Sequence, residues 1–175
     1  MVAVRGHFAN EPALPDAKAA RHAITYLLDQ MDELDAIVLI RDADDQCERR
    51  QGLEQARAMF ASKCTIVLGV AICKRECWVL SGFIPEDEGE QGRIDAERRT
   101  LGFDPCLRSH ELTASGNASK SPKRVLAALT GDQWERQQKC WLETPLDTLR
   151  ERGGNNGLKD YLSEVETHLA PCITQ

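Results

Sequence analysis

Apolar residues in the first half of the chain alternate between two rhythms. Ala20, Ile24, Leu27, Leu28 and Met31 recur at helical spacing after Pro12 and Pro15, and predict a helix over 17–31 with Asp16 as its N-cap. Residues 36–40, Ala-Ile-Val-Leu-Ile, form an unbroken run between Asp35 and Arg41. A run without alternation predicts a strand covered on both faces, as in a parallel sheet flanked by helices. Leu53, Ala56 and Phe60 predict a helix over 51–61, and 64–71 reads as a second apolar strand. Helix, strand, helix, strand is the grammar of an α/β sheet. Val2 to Val4 predicts one further short strand ahead of a Pro-containing loop over 7–15.

Beyond residue 71 the rhythm is helical or absent. A helix is expected over 75–80, a Pro-, Gly- and acid-rich surface loop over 84–92 and a short helix over 95–101. Residues 113–122, rich in Ser, Gly, Asn and Lys, read as the loosest segment. Helices then follow over 122–129, 132–142, 145–152 and 158–169, the last two separated by Gly153-Gly-Asn-Asn-Gly157. Trp134 and Trp141, seven apart, share one helix face and are expected in the core. The expected fold is α/β, a small and mostly parallel sheet flanked by helices, with an α/β core over 1–112. A helical C-terminal region over 113–175 packs on the same domain.

Composition narrows this picture little. Hydrophobic residues make up 42% and charged residues 29% of the 175 residues, ordinary for a globular chain. A net charge of −6 argues against coating nucleic acid by bulk electrostatics, but not against meeting phosphate through metal ions. No apolar run approaches the roughly 18 residues of a membrane span, and the first residues lack a secretory pattern, so a cytoplasmic protein is expected. The seven cysteines are scattered, with only Cys73 and Cys77 four apart and no second pair, and are expected as free thiols.

The pointed chemistry is acidic. Asp42, Asp44 and Asp45 follow the first apolar strand directly, in Val38-Leu-Ile-Arg-Asp-Ala-Asp-Asp-Gln46. Residues at the carboxyl end of a strand in an open α/β sheet face the crevice where such folds bind ligands. Carboxylates held close repel, and a hard divalent cation such as Mg²⁺ or Mn²⁺ relieves the repulsion while keeping several waters. The plainer reading is an acidic turn in which Asp44 or Asp45 caps the next helix. An EF-hand is excluded, because Cys47 stands at the sixth position and Leu53 at the twelfth. Glu76, in Ala71-Ile-Cys-Lys-Arg-Glu-Cys-Trp-Val-Leu80, follows the second strand and is the further candidate ligand; its plainer role is a first-turn glutamate complementing a helix dipole.

A strand ending in Asp-x-Asp, a helix, an apolar strand and then Glu-Cys-Trp-Val-Leu resembles a divergent Toprim domain. The likeness is to bacterial Toprim-like families encoded near ATPases in defence gene clusters, the OLD-type nucleases among them. Ser121-Pro-Lys-Arg-Val-Leu126 and Asn155-Asn-Gly-Leu158 are similar to their helical tail. The resemblance implies Mg²⁺-dependent phosphodiester hydrolysis on nucleic acid, DNA foremost, within an anti-phage defence system and beside a partner such as an ATPase. It implies Asp42 and Asp44 as metal ligands, with Asp45 beside them, and Glu76 as an added catalytic acid. The Toprim pattern also carries a glutamate on an N-terminal strand ending Glu-Gly, where Arg5-Gly6 stands here. Glu11 in its place, a preceding segment, or a non-catalytic relative are the alternatives.

Two rivals stand beside the nuclease: a catalytically silent interaction subunit, and a phosphotransferase with Asp42 as nucleophile. His7 with Asn10 is read as a surface loop, and His22, His110 and His168 as locally satisfied. Lys74, Arg75, Lys120, Lys123 and Arg124 are the basic residues placed to meet phosphate.

Overall fold

The computed structural model describes residues 7–8, 11–31, 33–44, 46 and 48–173. The strand expected over 2–4, together with Asp45 and Cys47, lies outside the described residues. The chain forms two compact units: residues 1–70 with 161–175, and residues 71–160. The divisions between these units fall at 71 and 161.

In the first unit, β1 (His7–Phe8) pairs antiparallel with β2 (Glu11–Pro12). Helix α1 (Ala17–Gln30) and strand β3 (Ala36–Asp42) follow, then α2 (Arg49–Phe60) and β4 (Thr65–Ala71). β3 and β4 form a two-stranded parallel sheet, joined by the α2 crossover that a parallel pair requires. The core of this unit is apolar throughout, with Ala17, Ala20 and Ile24 of α1 set against Leu53, Ala56 and Phe60 of α2 and Ile37, Ile66 and Leu68 of the strands. Gly52 permits the close approach of α2 to the α1 entry, since a Cβ there would collide with the Pro15 carbonyl.

β4 is buried nearly throughout, as a run without alternation demands. β3 departs from that expectation: Ile37 is buried, yet Val38 and Ile40 are exposed. Its far face is uncovered because the small sheet has α1 and α2 packed on the Ile37 side.

The second unit is helical, as expected beyond residue 113, but its first half is more helical than its composition suggests. After α3 (Glu76–Ser81), α4 runs from Glu88 to Leu101 through most of the expected loop. The Asp87 side chain accepts from the Glu90 amide at 2.7 Å, and Glu90 reaches back to the Glu86 amide at 2.8 Å, a reciprocal cap that starts the helix. Gly102, at φ 78°, ends it. The 3₁₀ turn Ser109–Glu111 leads to an irregular loop closed by Ala114 N to Lys120 O and Ser121 N to Ala118 O. Ser121 and Pro122 then open α5 (Pro122–Thr130), followed by α6 (Trp134–Leu142), α7 (Leu146–Arg152) and α8 (Leu158–Glu164). A π-helical turn, Val165–Leu169, and α9 (Ala170–Ile173) complete the chain's return to the first unit. Among the described residues no helix is long and apolar enough to cross a membrane.

The inward faces of α4 and α6 are polar. α4 buries Glu90, Ile94 and Glu97, helical spacing with two glutamates in apolar positions. α6 buries Arg136 and Cys140. Arg136 donates from Nε to Glu90 Oε1 at 2.7 Å and from Nη2 to Oε2 at 2.9 Å, and lies over the Phe83 ring at 4.7 Å. Arg124 of α5 grips Glu97 in the same forked manner at 2.7 and 2.6 Å. Trp134 and Trp141, expected in the core, stand exposed instead, because this pairing turns the opposite face of α6 inward.

Asn156 is the polar centre of the second unit. Fully buried, its amide donates to the Cys77 carbonyl and to the Ser81 and Ser109 hydroxyls at 2.8–3.1 Å, while its carbonyl oxygen accepts from Trp78 Nε1 at 2.7 Å. Its side-chain oxygen accepts from the Leu158 amide at 3.0 Å.

Candidate functional site

The site begins where β3 stops. Asp42 is the last residue of the strand, and Asp44 takes a left-handed conformation at φ 45°, which Asp tolerates better than most residues. The chain turns there, with Gln46 N bonded to Ala43 O at 2.9 Å, and α2 begins at Arg49. The side chain of Asp44 does not cap this helix. Glu48 holds the N-cap position, without a side-chain cap bond.

Arg49 gathers the turn. Its Nη1 donates to the Asp42 carbonyl at 2.7 Å and to Asp44 Oδ2 at 3.1 Å, and its Nε donates to Gln46 Oε1 at 3.2 Å. The same guanidinium lies 3.4 Å from Asp16 Oδ2, and Arg41 donates to both Asp16 oxygens at 3.3 and 3.5 Å. Asp16 thus stands at the head of α1, as its spacing predicts, but makes no side-chain cap bond; its carboxylate faces the two arginines. Two arginines and two aspartates balance each other around the strand end, and together they replace the bare acidic cluster that the sequence suggested.

A groove of about 330 Å³ opens beside this network. Asp16 and Arg41 line it, Ala19, Ala20 and Ala23 of α1 form one wall, and Val38 and Ile40 of β3 form the other. The alanines leave the room, and Val38 and Ile40 make the β3 side apolar. A concave, mostly apolar site with a few charged groups at one end is the usual form of a ligand pocket.

The structure brings Asp42 and Asp44 together around Arg49. Glu76 belongs to the second unit, as the first residue of α3, where it complements the helix dipole. Among the described residues no group of three or more His, Cys, Asp or Glu side chains is placed to hold a metal ion. The carboxylates described at the strand end are Asp42 and Asp44, oxygen donors of the kind a hard cation takes. Such a cation would displace the Arg49 guanidinium from Asp44.

Sequence reasoning missed Arg49 and Asp16. The available signal was a basic pair, Arg49-Arg50, at the start of a helix where acidic residues are favoured. A second basic–acidic centre was equally hidden. Glu164, buried at the end of α8, accepts from Arg57 at 2.8 and 3.1 Å, from Arg50 at 3.4 Å and from the Leu68 amide of β4 at 3.4 Å. Arg57 also lines a groove of about 550 Å³ with Glu54, Cys64, Thr65 and His168. Burial raises the pKa of the Cys64 thiol, which disfavours the thiolate a nucleophile would need.

Cys73, Cys77, Cys106 and Cys140 belong to the packing of the second unit. Cys73, Cys77 and Cys140 donate to the carbonyls of His110, Ser109 and Arg136 at 3.3, 3.2 and 3.5 Å. Burial raises the pKa of the Cys106 and Cys140 thiols. Of the residues expected to meet phosphate, Arg124 is committed to Glu97.

No family model matches this chain, and neither a curated protein nor a solved structure matches it.

Proposed function

We propose that the chain is a Toprim-like, Mg²⁺- or Mn²⁺-dependent nuclease, or a subunit derived from one, that acts on phosphodiester bonds. The observation that carries this reading is the placement of Asp42 as the last residue of a parallel strand and of Asp44 in the left-handed turn after it. In an open α/β sheet that is where ligands bind. Asp42 and Asp44 are the ligands of the cation; a contribution from Asp45 or Glu76 follows from the family resemblance alone. A cation held there polarises a phosphate and lowers the pKa of an attacking water. Arg49 and Arg41, already at the strand end, are suited to receive a phosphate oxygen in forked geometry. DNA as substrate, an ATPase as partner and a role in phage defence follow from the family resemblance alone.

The Arg49–Asp44 pair favours a second reading, a non-catalytic interaction subunit in which the guanidinium has taken the position of the cation. Titration calorimetry with Mn²⁺ separates the two. The nuclease reading expects binding by the wild type, its loss in Asp42→Asn/Asp44→Asn, and tighter binding in Arg49→Ala, where the competing charge is gone. Silence from both the wild type and Arg49→Ala would leave the interaction subunit as the reading.

A further inference from the structure

Helix α6 is amphipathic in the wrong sense for a monomer. Its inward face holds Arg136 and Cys140, while Trp134, Trp141 and Leu142 on the other side are 66%, 37% and 80% exposed. Trp134, Gln138, Trp141 and Leu142 stand at i, i+4, i+7 and i+8, so they form one stripe along the helix. Leu146, at the start of α7 and 56% exposed, follows four residues after Leu142. We propose that this stripe is a self-association surface, on which a second copy of the chain lays its own α6 in antiparallel orientation.

Three arguments select a second copy. First, the stripe is nearly symmetric about its midpoint, with a tryptophan toward each end. A two-fold axis through that midpoint sets Trp134 of each copy against Trp141 and Leu142 of the other, the reciprocal pairing of an isologous interface. Second, at these exposures the four apolar residues offer roughly 500 Å² per copy, so the pair buries roughly 1,000 Å², where specific interfaces begin. A patch of that size is at the upper end of what monomers leave in water. Third, the charges fit. The antiparallel alignment brings Glu135 of each copy beside Lys139 of the other, at the flanks of the stripe. Lys139 already rests 3.0 Å from Glu86, so the bridge adds a second acid to an existing contact.

Exposed tryptophans also serve as stacking platforms for single-stranded nucleic acid, but such platforms lie in basic grooves. Here Asp132, Glu135, Glu143 and Asp147 are exposed around the stripe, which disfavours a phosphate backbone.

Sedimentation velocity on the full chain, from about 1 to 200 µM, tests the proposal. The wild-type mass is expected to climb with concentration from 19.5 kDa toward twice that value. In Trp134→Glu/Leu142→Glu the dimer should weaken at least tenfold with an unchanged far-ultraviolet circular dichroism spectrum, since both side chains are exposed; Leu142→Glu alone serves if the pair unfolds. Glu135→Lys and Lys139→Glu, each weakened alone, should associate when mixed. A wild type that stays monomeric over the whole range overturns the proposal, as does a double variant that dimerises like the wild type. So does a mixture that gains nothing, or tryptophan quenching by single-stranded DNA without self-association.

Discussion

Helices α1 and α6 were read from the same kind of periodicity, and only one obeys it. Of the positions its spacing marks, α1 buries Ala20 and Ile24 and packs Leu27 and Leu28 half-buried beside them, while Met31, past its end, is exposed. α6 carries stronger apolar residues and buries Arg136 and Cys140 instead. The difference lies in what each helix faces. α1 meets an apolar partner, α2, and hydrophobic burial sets its rotation. α6 shares the second unit with α4, whose inward positions include Glu90, and a buried carboxylate without its guanidinium would be costly. One forked ion pair therefore outweighs two tryptophans in deciding which way the helix faces. Periodicity marks the face that wants to leave water; it does not say whether the covering surface belongs to the same chain.

The sharpest way to break this comparison is Arg136→Ala. It removes the forked partner of the buried Glu90, and is expected to destabilise by about 3–5 kcal/mol, measured by chemical denaturation. A loss under about 1 kcal/mol would mean the pair does not orient α6. Ile24→Ala, the matching deletion in α1, should cost about 2–4 kcal/mol through lost burial and the cavity left behind. The two should also differ in kind. Ile24→Ala is indifferent to pH near 4, whereas the second unit is not.

Acid titration sharpens that point. The Arg136 hydrogen bonds, opposed by burial and aided by the Glu86 amide, hold the Glu90 pKa below its ordinary 4.5. A carboxylate with a lowered folded pKa contributes stability that is present above the unfolded value and is lost as pH falls through the folded one. Wild-type stability should therefore fall on acidification below pH 4.5, followed by near-ultraviolet circular dichroism at fixed denaturant. In Arg136→Met the largest lowering cause is gone, leaving burial opposed by the Glu86 amide and Arg93, and the fall on acidification should weaken. An unchanged slope would remove Glu90 from the account. The smallest effect belongs to the strand end: Asp42→Asn/Asp44→Asn should shift stability by less than about 1 kcal/mol, because the Asp44 contact with Arg49 is half-exposed. A larger loss would make the acidic turn a structural device.

The α/β start of the chain was legible because β3, α2 and β4 obey local rules: apolar runs, helical spacing and turn residues agree. The helical second half was legible from Pro122 and the Gly153–Gly157 stop. α4 was hidden because Pro85, Gly89 and Gly92 read as loop, and because the positions that turn inward, Glu90 and Glu97, are recognisable as core only once Arg136 and Arg124 are opposite them. At the strand end, Asp42 and Asp44 were visible as consecutive acids after a strand. The Arg49 contacts with the Asp42 carbonyl and the Asp44 carboxylate were not, since they depend on the turn that leads into α2. Asp16, thirty-three residues from Arg49 in sequence, is a partner that no local pattern announces. Asn156 was read as part of a glycine-rich stop, and its six hydrogen bonds depend on Ile72, Cys77, Ser81 and Ser109 arriving from elsewhere in the second unit.

The return of the chain to its first unit at residue 161 has a consequence for synthesis. Residues 71–160 are continuous and can fold as soon as they leave the ribosome. The first unit cannot close so early: β4 and the arginines of α2 wait for Glu164, which supplies the acceptor for the Leu68 amide and for Arg50 and Arg57. The part of the molecule made first is thus finished last. A nascent chain stalled short of Glu164 lacks the carboxylate that Arg57 and the Leu68 amide meet, and leaves Arg50 to its Glu54 contact, whatever the state of the helices that follow.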